Sequence, residues 1–248
     1  MVRTIVKAVL LAVATAATVV TVGGTAGAAA CSVRNGTSSF GTLQAAIAAA
    51  ADGNRLVISG TCTGPFLLDK SLTLVGSAPG AGRPVLTGAN VSRVLVVDAP
   101  AVVALTDVIV RNGNSTGFGG GGGISSSGTL TLTRVLVTQN RTVGAGGGIL
   151  NLGDMTLTRS LVSSNRSGFD GGGIFNAGDL TTWSTNLVGN STTGVGGGMF
   201  SEGVATMHGG QVTRNTATDV GGGILTVNIL TLDGTRVFGN TPDDCDDC

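Results

Sequence analysis

Residues 121–240 repeat with an unbroken step of 25 residues. Glycine triplets stand at Gly121–Gly123, Gly146–Gly148, Gly171–Gly173, Gly196–Gly198 and Gly221–Gly223, each followed by an apolar residue (Ile124, Ile149, Ile174, Met199, Ile224). The same step carries an asparagine through Asn140, Asn165, Asn190, Asn215 and Asn240, and a threonine through Thr131, Thr156, Thr181, Thr206 and Thr231. A fixed period of this length marks a solenoid, because each repeat is a unit that buries its apolar face only by stacking on its neighbours.

The contents of one period decide which solenoid. Between triplets lie three short runs, as in Ile149-Leu150-Asn151, Met155-Thr156-Leu157-Thr158 and Leu161-Val162-Ser163-Ser164-Asn165. The middle run alternates apolar and polar residues, the pattern of a strand with one buried face, and no window is long enough or correctly spaced for a helix. The reading is an all-β, single-domain parallel β-helix with three short strands per 25-residue coil. A leucine-rich repeat is the rival, since Leu132, Val135, Val137 and Asn140 fit its spacing. It fails because the column under Val135 reads Ser160, Thr185, Gly210 and Thr235, and because glycines occupy the place of its return segment. Stacking then makes the Asn140–Asn240 column a structural ladder of amides.

The G-G-G-[ILM] motif followed by a hydrophobic-x-x-N tail, with Val137, Val162, Leu187, Val212 and Val237 at the hydrophobic position, resembles the repeats of polymorphic outer-membrane proteins. It is also similar to secreted right-handed parallel β-helix proteins. The resemblance covers about half the chain and implies a right-handed coil of the pectin lyase-like type. It does not extend to the membrane barrel that ends those outer-membrane proteins.

Residues 1–30 read as an export signal, with Arg3 and Lys7 before the apolar run Ala8–Val22 and small residues up to Ala30. Cleavage after Ala28 or Ala30 fits the small-residue pattern. Cleavage before Cys31 would instead suit a lipid anchor, against which stands the missing leucine. Residues 31–248 form the expected β-helix domain, secreted or at the cell surface, monomeric and without a membrane span. The 14 basic and 14 acidic residues balance, which leaves no field to steer nucleic acid to it.

Residues 38–53 are expected to cap the first coil as a short amphipathic helix, with Leu43 and Ile47 on its inner face and Gly53 at its end. Residues 56–112 read as less regular coils, and 121–240 as regular ones. In an exported chain the four cysteines are expected as disulfides, Cys31 with Cys62 and Cys245 with Cys248. A metal reading of the second pair lacks further ligands, and neither metal nor cofactor is expected.

Candidate chemistry is sparse. Trp183, His208 and Asp233 share one column after Thr133 and Thr158, and the alternation turns them outward because Thr182, Met207 and Leu232 point inward. An indole flanked by a hydrogen-bonding pair can hold a sugar ring, which points to a polysaccharide or cell-surface glycan as partner. Asp154 and Asp179 form a stacked carboxylate pair, beside which Arg134 and Arg159 are expected to run. No catalytic residue is assigned. The favoured reading is a non-enzymatic adhesin-like or glycan-binding rod, and the alternative is a polysaccharide lyase or glycoside hydrolase.

Overall fold

Alternation along each short run sends every second side chain inward, and the glycine and asparagine corners turn the chain so that the next run stacks on the last. The computed structural model describes residues 29–77, 82–117 and 119–246 and is a β-solenoid of about seven turns. Nearly all of its strand pairs are parallel. They form a 16-stranded sheet, an 8-stranded sheet and a 4-stranded sheet.

One regular coil illustrates the path. Ile149–Asn151 lies in the 8-stranded sheet, paired with Ile124–Ser126 and Ile174–Asn176. Asp154–Thr158 and Leu161–Ser163 follow in the 16-stranded sheet. Partners stand 25 residues apart, Met155 against Leu130 and Leu180. In the next two coils the strands Asp179–Val188 and Val204–Thr213 run on through the corner and merge these two sides.

The coil has a fourth element that the three-run reading passes over. Arg141–Thr142, Arg166–Ser167 and Ser191–Thr192 pair in parallel, beginning at Asn114–Ser115, to make the 4-stranded sheet. Two-residue strands carry too little alternation to stand out in sequence.

The core is a set of columns. Ile124, Ile149, Ile174, Met199 and Ile224 have no exposed surface, and the inner residues Leu132, Leu157, Thr182 and Met207 are equally buried. Leu232, expected inward with them, is 37% exposed because no further strand stacks on it among the described residues. Thr182 is the exception in chemistry, for its buried hydroxyl finds no hydrogen-bond partner.

The N-terminal end departs most from expectation. The helix, α1, spans only Leu43–Ala49 rather than 38–53. Thr42 caps it by accepting from the Ala45 amide at 3.2 Å, and Leu43, Ala46 and Ile47 are buried. Before it, β1 (Ser32–Asn35) and β2 (Ser38–Phe40) form an antiparallel hairpin, and β1 also runs antiparallel to β3 (Arg55–Ser59). Asn35-Gly36, with Gly36 at φ 57°, is the turn signal that could have announced the hairpin. The helix stops short of Gly53 because Ala50 is already extended. Lys70 Nζ donates to the carbonyls of Ile47, Ala48 and Ala50 at 3.0–3.2 Å, supplying the free helix end with donors and positive charge.

Cys31 and Cys62 form a disulfide that ties the start of this end piece to the first coil. Cys245 is not a free thiol, and its expected partner Cys248 lies outside the described residues. The export signal over residues 1–30 also falls almost wholly outside them. Among the described residues no helix is long and apolar enough to cross a membrane.

Candidate ligand-binding face

The polar ladders set the spacing on which any outer site is built. Asn140 donates through Nδ2 to Asn165 Oδ1 at 3.0 Å, and the same bond joins Asn165 to Asn190, Asn190 to Asn215 and Asn215 to Asn240 at 2.9–3.0 Å. From Asn165 onward each Oδ1 also accepts the backbone amide of the preceding asparagine, while Asn140 Oδ1 accepts from the Gly113 amide at 2.8 Å; each Nδ2 also donates to a carbonyl such as Val162 O at 3.0 Å. Asp244 terminates the run by accepting from Asn240 at 2.9 Å. A shorter ladder, missed from sequence, joins Asn151 to Asn176 at 2.7 Å and Asn176 to Ser201 Oγ at 3.0 Å. Its signal was a column of small polar residues, Ser126 to Thr226, standing at a corner next to apolar strands.

On the outer face of the 16-stranded sheet, Thr158 pairs in register with Trp183, Trp183 with His208, and His208 with Asp233. The parallel ladder brings their side chains into one file. The indole and imidazole rings stack with centroids 3.8 Å apart and planes 12° from parallel. His208 Nδ1 lies 2.9 Å from Asp233 Oδ2, an exposed pair that fixes the ring's orientation. With Nδ1–H donating to the carboxylate, Nε2 remains free for another partner.

This geometry refines the expectation of an indole flanked by a polar pair. Both polar residues lie on one side, and His208 occupies that indole face. The opposite face looks along the file toward Thr158, whose side chain is too small to cover it. Trp183 is 48% exposed.

Asp154 and Asp179 are register partners at the start of their strands. With Glu202, which the sequence reading left out, they line a shallow depression of ≈ 330 Å³ floored by Gly153, Gly178 and Gly203. Its lining holds no basic residue. The carboxylates project side by side from one face, whereas a glycosidase sets its two across the scissile bond.

The two arginines expected beside them are elsewhere. Arg134 and Arg159 follow the ends of Thr129–Thr133 and Asp154–Thr158, a full strand away from the acid pair. Position in the column was legible, but the strand length between the two ends separates them. Arg134 instead forks onto Asp107, Nε to Oδ1 at 2.7 Å and Nη2 to Oδ2 at 2.6 Å. The hydrogen bond to Arg134 holds the Asp107 carboxyl below the usual carboxylate range, against a smaller opposing effect of burial. The same bond raises Arg134 above the ordinary guanidinium value.

Arg93 is a second cation that the sequence did not single out. It is half-buried and bonded to backbone carbonyls, Gly121 O at 2.9 Å and Gly119 O at 3.2 Å, with Gly120 O as a further acceptor. Burial lowers its pKa below the ordinary guanidinium value. Its work is to tie down the loop ahead of the first glycine triplet. No group of three or more metal-ligating side chains gathers among the described residues.

No family model, curated protein or solved structure matches the chain. The likeness to polymorphic outer-membrane repeats therefore rests on the motif residues alone.

Proposed function

We propose that the chain is an exported, non-enzymatic rod that binds a glycan on the outer face of its longest sheet. In this reading residues 1–30 are removed. Residues 31–248 form one monomeric, right-handed coil of 25-residue turns, closed at its N-terminal end by α1 and the β1–β2 hairpin. The disulfide between Cys31 and Cys62 suits an oxidising, extracellular setting.

The observation that carries the reading is the Trp183–His208–Asp233 file. A half-exposed indole held flat by a stacked imidazole offers one rigid apolar face, the surface on which the apolar side of a sugar ring stacks. The threonine hydroxyls of Thr156, Thr158 and Thr181 on the same outward face add polar partners within one or two strand spacings.

Trp183 is the sole tryptophan, so its emission reports the site without interference. Titration with a panel of neutral and acidic oligosaccharides should shift or quench it, and His208→Ala, which frees the indole from its support, should weaken the response. Emission unchanged across the panel would remove the reading. The rival, a polysaccharide-active enzyme, has the Asp154–Asp179–Glu202 depression in its favour. Release of shortened or unsaturated sugars from the same panel, abolished by Asp154→Asn or Asp179→Asn, would decide for it.

A further inference from the structure

Two adjoining depressions, neither lined by Trp183, His208 or Asp233, differ sharply in chemistry. The first, of ≈ 590 Å³, is headed by Arg141 and Arg166 and contains Asn114, Val143, Gly168 and Thr193. The second, of ≈ 600 Å³, is apolar, with Leu150 and Phe175 as its floor and Val143, Leu152 and Phe169 as its walls. They meet at Val143 and Gly168, which line both.

The polar end is unusual for a β-ladder. Arg141 and Arg166 are register partners in parallel strands, which sets their backbones about 4.8 Å apart. Like charges directly opposite destabilise a sheet. Both are exposed, and among the described residues no carboxylate lies within ion-pair distance of either. The ladder continues at Asn114 on one side and Ser191 on the other, so the positive charge is confined to these two coils.

The apolar end has its own anomaly. Phe169 is 61% exposed, Leu152 52% and Val143 50%, a clustered patch rather than scattered apolar residues. The repeat explains the hollow: the column through Phe169 carries Gly144 and Gly119 in the two preceding coils and Gly194 in the next. One aromatic ring therefore stands as a wall beside positions that lack side chains. Phe175, packed edge-on to Phe200 with centroids 5.3 Å apart, gives the hollow a fixed floor. The loop at Gly119–Gly121 that closes its end is held by Arg93.

We infer that this groove binds a single-chain anionic amphiphile, its carboxylate between Arg141 and Arg166 and its acyl chain over Leu150 and Phe175. Charge complementarity selects the head, because two neighbouring guanidiniums without a counter-charge match one carboxylate. The lining selects the tail: a sugar would need polar partners, and the second depression offers almost none. The volume of each depression lies within the usual range for small-ligand sites. The site shares no residue with the Trp183 file and stands or falls separately.

Calorimetric titration of the full chain with laurate, kept below its micellar concentration, tests this. Dodecyl maltoside, with the same tail and a neutral head, and acetate, with the head and no tail, serve as comparisons. Laurate should bind, and each comparison should bind at least about tenfold more weakly. The double substitution Arg141→Gln/Arg166→Gln should weaken laurate by on the order of tenfold or more, as loss of charge-assisted bonds does. Phe169→Ala should weaken it through the tail. All three side chains are exposed, so the variants should keep the parent's circular dichroism and thermal midpoint. Failure of laurate to bind, equal binding of dodecyl maltoside, or full affinity in either variant would overturn the proposal. Capture of the chain by anionic vesicles without binding of laurate below its micellar concentration would also overturn it, since the patch would then be a membrane contact.

Discussion

Replacing Asn190 with alanine removes the centre of the amide ladder, and the bonds it makes fix the expected cost. The Asn165 backbone amide loses its acceptor at 3.1 Å, and Asn165 Nδ2 loses one of its two acceptors. Val162 O loses the donor at 3.0 Å, and Asn215 Oδ1 keeps only the backbone amide at 2.9 Å. Asn165, Asn190 and Asn215 have 1% or less of their surface exposed, so solvent does not reach the stripped groups. One fully orphaned N–H and one weakened carbonyl, at ~1–3 kcal/mol each, put the loss at ~2–6 kcal/mol. Asn240 makes the same bonds to Asn215, but its own side chain is half-buried at the end of the column, so removing it opens the stripped groups to water. Asn240→Ala should therefore cost about 1 kcal/mol or less. Urea unfolding followed by far-UV circular dichroism measures both, with the midpoint falling and the slope unchanged if the native state stays compact. Equal midpoints for the two variants would refute the ladder's role, because Asn190 is buried between two asparagines whereas Asn240 is half-buried at the end of the column against Asp244.

Three further perturbations probe other parts of the fold. Thr182→Val replaces a buried, unpartnered hydroxyl with a methyl group of similar shape between Leu157 and Met207, and should raise stability by ~1–2 kcal/mol in the same unfolding assay. Lys70→Met removes the donors to three carbonyls at the end of α1 and should lower the thermal midpoint, with a cost of ~1–2 kcal/mol; an unchanged midpoint would mean water serves the helix end equally well. Asp107 titrates lower in the folded chain than in the unfolded one, chiefly through its hydrogen bond to Arg134. Its contribution is thus present above the unfolded carboxylate value, near pH ~4, and is lost as pH falls through the folded value. In Asp107→Asn the acid limb of the stability profile should be shallower over that window, and an identical limb would show that the exposed pair contributes nothing.

The regular coils were legible because stacking converts a sequence period directly into spatial neighbours. Once Gly123 and Gly148 are known to be equivalent, the pairing of Ile124 with Ile149 follows, and so does the burial of the whole column. The outward direction of Trp183 and His208 followed from alternation, but their mutual stacking did not. Ring orientation depends on side-chain rotation that a column position leaves open, and it decides which indole face remains available.

The N-terminal end was read least well, because it does not repeat. There the chain has one copy of each signal, and the alanine run that suggested a long helix outweighed the Asn35-Gly36 turn. The arginine groove was invisible for a different reason. Arg141 and Arg166 looked like surface charge within polar text, and the apolar residues beside them fall outside the alternating strands. Only the placement of Phe169 over the glycine positions of neighbouring coils joins the two.

Register partners along the long sheet stand one strand spacing apart in a single stack, and paired spin labels measure that directly. Thr73, Ala104, Thr131, Thr156, Thr181, Thr206 and Thr231 are partners in consecutive strands. With nitroxides on Thr131→Cys and Thr231→Cys the backbone separation should be about 19 Å, and with Thr73→Cys and Thr231→Cys about 29 Å, at about 4.8 Å per step. Electron–electron double resonance should therefore give two narrow distributions whose centres differ by about 10 Å, the spacing of two strands. Broad distributions, or a difference that does not follow the number of intervening strands, would contradict the stacked solenoid.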